Sequence, residues 1–87
     1  MTIPNEEVIY EKDYYQTADL ALASVIFLFW PLKAINKQNP RKAQFLFKRS
    51  EELDRTVEQF WRGELKVEPQ AYFNALRIIK ARLYGEG

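Results

Sequence analysis

Between Leu20 and Ser50 the chain carries six basic residues, Lys33, Lys37, Arg41, Lys42, Lys48 and Arg49, and no acidic one. Lysine and arginine gathered in this way are the chemistry of phosphate contact, because each cation that meets a phosphate releases a condensed counterion. Gln38, Asn39 and Gln44 lie among them. Their carboxamides both donate and accept, which suits base edges and adenine in particular. These nine positions form a candidate nucleic-acid-binding set. Six phosphate contacts on a duplex would give a log–log salt slope of about −5. A solvated hairpin whose lysines discourage edge-to-edge pairing accounts for the same charges without any ligand.

Other chemistry has less to work with. The chain has no histidine and no cysteine, so the commonest general base, the thiol nucleophile and the usual zinc ligands are missing. Glu51, Asp54 and Glu58 follow one another at spacings of three and four, which puts them on one side of a helix. Two or three of their oxygens could hold Mg²⁺, but an exposed helix face rich in acids near its start reads the same way. The glycines are Gly63, Gly85 and Gly87, and no phosphate-cradling loop can be built from them. Tyr14 and Tyr15 would need a base or metal partner to act as nucleophiles. No catalytic residue, metal ligand or cofactor is expected, and the protein reads as a non-enzymatic binding module.

The charge pattern extends over the whole chain, whose net charge is only +1. Residues 1–19 hold five acids and Lys12, residues 51–68 six acids and three bases, and residues 69–87 three bases and Glu86. Such blocks serve a local anion-binding patch, or pair with one another within or between molecules. DNA or RNA is therefore the first expected partner, and self-association or another protein the alternative. The apolar run Leu20 to Trp30 is too short to span a bilayer, which takes about 20 residues, so no membrane contact is expected. It follows an acidic segment rather than a basic one, unlike a signal peptide; a cytoplasmic protein is the expectation.

These side chains need elements to position them. With 87 residues, the chain makes one small domain. Residues 1–13 read as a weakly ordered acidic segment, with Val8-Ile9-Tyr10 as a short strand candidate, and residues 14–85 as the compact domain. Tyr14 to Thr17 suits a strand. Thr17 is the expected N-cap of a first helix from Ala18 to about Leu28, buried on most sides. Phe29 to Lys37 is the expected second strand, with Leu32, Ala34 and Trp30 on one face. Gln38-Asn39-Pro40-Arg41 marks a turn. In the third strand, Lys42 to Arg49, Ala43, Phe45 and Phe47 face one way and Gln44, Leu46 and Lys48 the other. Ser50 caps a second helix whose apolar face is Leu53, Val57, Phe60 and Trp61, and Gly63 ends it. Glu68 and Pro69 open a third helix to about Tyr84, with Tyr72, Phe73, Leu76, Ile79 and Leu83 as its stripe. Its cations are Arg77 and Lys80 on one side and Arg82 on another.

The order strand, helix, strand, strand, helix, helix predicts an α+β domain. A small antiparallel sheet with a central β-hairpin packs against three helices. The aromatic residues Phe27, Phe29, Trp30, Phe45, Phe47, Phe60, Trp61 and Phe73 are expected in its core rather than on a stacking platform. An exposed Trp30 or Trp61 would instead be an interface anchor.

Three stretches carry a resemblance: Tyr15-Gln16-Thr17-Ala18-Asp19-Leu20-Ala21-Leu22-Ala23, Asn39-Pro40-Arg41-Lys42-Ala43-Gln44-Phe45-Leu46-Phe47, and Phe60-Trp61-Arg62-Gly63. Together they resemble an uncharacterised domain-of-unknown-function family of small microbial and viral proteins. The resemblance covers roughly residues 14–84. It implies a self-contained domain and brings no activity, cofactor or site residue with it.

Overall fold

A computed structural model describes residues 13–39 and 41–85. The elements are β1 (Tyr14–Thr17), α1 (Leu20–Phe29), β2 (Ala34–Asn36), β3 (Gln44–Lys48), α2 (Glu51–Arg62) and α3 (Pro69–Gly85). The strands form one antiparallel sheet in the order β1-β3-β2. This is the expected α+β fold with its hairpin of β2 and β3. The expected strand at Val8-Ile9-Tyr10, and the acidic segment up to residue 12, lie outside the described residues. Just before β1, the Asp13 carbonyl accepts the Arg49 N–H at 3.0 Å.

The register sorts the side chains. Tyr15 stands opposite Phe47, Thr17 opposite Phe45, and Ile35 opposite Phe45, so these five share the face toward the helices. There Phe45 and Phe47 meet Leu22, Ala23 and Ile26 of α1, Leu53 of α2 and Ile79 of α3 in one core. Five consecutive residues of α1, Leu22 to Ile26, are buried. A helix can hide so many in a row only when neighbours cover several sides, here α3, α2 and β1. The one polar member, Ser24, donates its hydroxyl to the Leu20 carbonyl at 2.8 Å, which offsets the cost of burying it.

Several boundaries differ from expectation. Thr17 is not the N-cap of α1. Its pairing with Phe45 holds it extended, its hydroxyl accepts the Asp19 N–H at 3.1 Å, and Asp19 caps the helix by accepting the Leu22 N–H at 2.9 Å. The helix continues through Phe29 rather than ending at Leu28, and Trp30 is its C-cap in extended conformation. Trp30 precedes Pro31, whose ring disfavours the helical region for the residue before it. The second strand is therefore not Phe29 to Lys37 but three residues. The third strand is shorter than Lys42 to Arg49, because pairing begins only at Gln44. Leu46, on the outer face as expected, is nevertheless only 3% exposed.

Both ends of α2 and the start of α3 follow their sequence signals. The Ser50 hydroxyl accepts the Leu53 N–H at 3.1 Å, and Gly63 closes α2 at φ 72°. The Glu68 carboxylate takes the Gln70 and Ala71 N–H groups. Three aromatic placements do not hold. Trp61 is 62% exposed and Phe73 58%, since each lies past the edge of its helix's buried stripe. In α3 it is Ala75, together with Ile79, that is buried. Phe29 is likewise exposed.

Candidate nucleic-acid interface

The tip of the hairpin is built by asparagines. The Asn36 Oδ1 accepts the Gln38 N–H at 2.9 Å, and the Asn39 Oδ1 accepts the Arg41 N–H at 3.0 Å. The Lys42 N–H then bonds the Asn39 carbonyl at 3.0 Å, closing a four-residue turn. Short polar side chains that bond the backbone two residues on are what fix such turns. Lys37, Gln38, Asn39, Arg41 and Lys42 are all exposed there.

The nine sequence candidates separate into groups. Lys37, Asn39 and Arg41 line a groove of about 340 Å³ with Ala43 of the hairpin and Leu83 and Tyr84 from the end of α3. Gln38 and Lys42 lie on the same turn. Gln44 and Arg49 instead line a broad depression of about 500 Å³ with Tyr14, Tyr15 and Gln16 of β1. Lys48 is exposed opposite Tyr14. Lys33 is exposed just before β2, its N–H bonded to the Leu46 carbonyl at 2.8 Å. Gln44 and Arg49 thus line a different depression from Lys37, Asn39 and Arg41.

The cations differ in what they touch. Arg49 is engaged: its Nε lies 3.2 Å from the Asp54 Oδ1, and its guanidinium sits over the Tyr15 ring at 5.6 Å. Lys37, Arg41 and Lys42 form no ion pair among the described residues. Asn39 has its carboxamide oxygen committed to the turn. Bidentate reading of adenine needs that oxygen as well as the NH₂, so base reading by Asn39 competes with the local fold.

Tyr84, which is 72% exposed, is the groove residue that sequence reasoning missed. Its signal was available, since α3 holds Arg77, Lys80 and Arg82 and no acid. The acid-free stretch 20–50 and the acid-free α3 meet at this groove. The acids collect on α2, where Glu51 pairs with Arg55 and Glu58 with Arg62. Glu51, Asp54 and Glu58 therefore each have a basic partner, and among the described residues no group of three acids is arranged to hold a metal ion.

Burial pushes the Tyr15 phenol above its ordinary value. The nearby Trp61 side chain and the charge of Arg49 offset part of the rise, and Asp19 and Asp54 add to it. A separate apolar groove of about 300 Å³ is lined by Val25, Phe60, Leu65, Val67 and Tyr72. Among the described residues no helix is long and apolar enough to cross a membrane.

Comparison with known proteins adds the family and no activity. No curated protein and no solved structure matches the chain significantly. The model of the family described as Domain of unknown function (DUF5659) matches residues 12–85, which takes in every strand and helix described above. The chain therefore belongs to the DUF5659 family.

Proposed function

We propose that the protein is a non-enzymatic module that contacts nucleic acid through the tip of its basic hairpin. One observation carries the reading: Lys37 and Arg41, without an acidic partner among the described residues, line a groove whose other wall ends in an exposed tyrosine. Cations beside an aromatic ring suit a ligand that is at once charged and planar. Lys37, Arg41 and Lys42 make the phosphate contacts. Gln38 is the nearest candidate for a base edge, with Asn39 limited to its NH₂.

Fluorescence anisotropy with labelled single- and double-stranded DNA and RNA, at low and physiological salt, tests this. Binding is expected to weaken as salt rises, and a Lys37→Glu/Arg41→Glu double variant is expected to lose it on every sequence. Unaltered affinity in that variant, or no binding at low salt, defeats the reading.

Self-association is a second reading, supported by a different surface. The apolar groove at Val25, Phe60 and Tyr72 adjoins two aromatics that are exposed, Trp61 and Phe73, and exposed aromatics are enriched at interface centres. A monomer in sedimentation at high micromolar concentration would count against it.

A further inference from the structure

We infer that the ligand of this groove is a single strand, held along a track that continues from the hairpin tip down the outer side of α3; this rests on the nucleic-acid reading above. Phe73, Arg77, Lys80 and Tyr84 follow one another at spacings of four, three and four. Residues so spaced stand on one side of a helix. All four are exposed, and the side facing the core belongs instead to Ala75 and Ile79. The stripe thus reads aromatic, cation, cation, aromatic over about 16 Å, at 1.5 Å per residue.

Its lower end is already in the groove, because Tyr84 lines it with Lys37 and Arg41. Arg77 and Lys80 form no ion pair among the described residues, and the Arg77 Nη1 bonds only the neutral Asn74 Oδ1, at 2.8 Å. Arg82 is turned elsewhere, over the Phe27 ring at 5.9 Å. A duplex offers phosphates but keeps its base faces stacked inside. An unpaired strand offers both, and aromatic rings spaced among cations hold it without needing base-edge contacts. Tyr84 is the central stacking platform, Phe73 a second one, and Arg77 and Lys80 follow the phosphates between them. Four phosphate contacts by Lys37, Arg41, Arg77 and Lys80 would give a single-strand salt slope of about −3.

The test measures anisotropy of labelled oligo-dT, oligo-U and a duplex of equal length with the full chain and three variants. These are Tyr84→Ala, Tyr84→Phe and Lys37→Glu/Arg41→Glu, each checked for folding by circular dichroism. The inference expects single strands to bind more tightly than the duplex. It also expects Tyr84→Ala to weaken them about five-fold or more while Tyr84→Phe, which keeps the ring, does not. A duplex bound as well as the single strands overturns the track, and so does a Tyr84→Ala variant of full affinity. In both cases the groove reading stands if the charge-reversal variant still loses binding. No binding by the unaltered chain overturns both.

Discussion

The guanidinium of Arg49 lies over the ring of Tyr15, its central carbon 5.6 Å from the ring centre. With its Nε bonded to Asp54 at 3.2 Å, the last cation of the basic segment links β1 to α2.

Arg49→Ala should therefore act on stability. An exposed ion pair and an exposed cation–π contact each contribute at most about 1 kcal/mol, so a loss of about 1 kcal/mol in urea unfolding is expected. Nucleic-acid affinity should change far less than in Arg41→Ala. A larger loss of affinity from Arg49→Ala would return Arg49 to the binding surface.

Tyr15 links the same contact to alkaline pH. Its phenol is pushed above its ordinary value of 10.0 mainly by burial. The unfolded chain gives up that proton near pH 10 while the folded chain keeps it, so above this point the unfolded state binds fewer protons. Stability contributed by Tyr15 is thus complete below about pH 10 and is lost as pH rises from there through the raised folded value. Denaturant midpoints measured from pH 9 upward should fall more steeply for the unaltered chain than for Tyr15→Phe. Parallel slopes would show that the phenol titrates alike in both states.

Two adjacent isoleucines of α3 test the core. Ile79 is fully buried, and Ile78 is 45% exposed. Ile79→Ala should cost about 2–5 kcal/mol through lost burial and the cavity left behind, and Ile78→Ala less than about 1 kcal/mol. Equal midpoint shifts in chemical denaturation would mean that α3 is rotated from the orientation described.

Gly63 and Gly85 both sit at helix ends, but only Gly63 has a positive φ, at 72°. A Cβ at either meets nothing within 4 Å, so any cost at Gly63 is conformational. Gly63→Ala should destabilise by about 1 kcal/mol, Gly63→Asn by less, and Gly85→Ala hardly at all. Matching melting temperatures for Gly63→Ala and Gly85→Ala would remove the left-handed cap.

Local signals in the sequence located every element described here. The caps at Ser50 and Glu68, the glycine at 63 and the alternation of Phe45 and Phe47 are each written in a few adjacent residues. Errors arose where two local rules competed. Thr17 could cap a helix or end a strand, and the sheet decided, leaving the cap to Asp19. Phe29 and Trp30 suit strands by propensity, yet α1 runs to Phe29 and stops because Pro31 forces Trp30 out of the helix. Trp61 and Phe73 extend their helices' apolar stripes on paper, but which neighbour covers a stripe is a tertiary fact. The candidate site was legible only as charge. Tyr84 joins Lys37 and Arg41 through a fold that brings residues far apart in sequence together, and no local spacing encodes that.

The placing of α3 bears on how the chain is made. The strands β1 to β3 and the helices α1 and α2 leave the ribosome before α3, yet among the described elements α1 packs most extensively against α3. A nascent chain that has reached only Gly63 can pair its sheet but cannot cover the side of α1 that Ala75 and Ile79 will later meet. Until then, an apolar helix surface stays open to neighbouring chains. Slow synthesis or early termination past Gly63 should therefore send this protein to chaperones or aggregates, and completing α3 should rescue it.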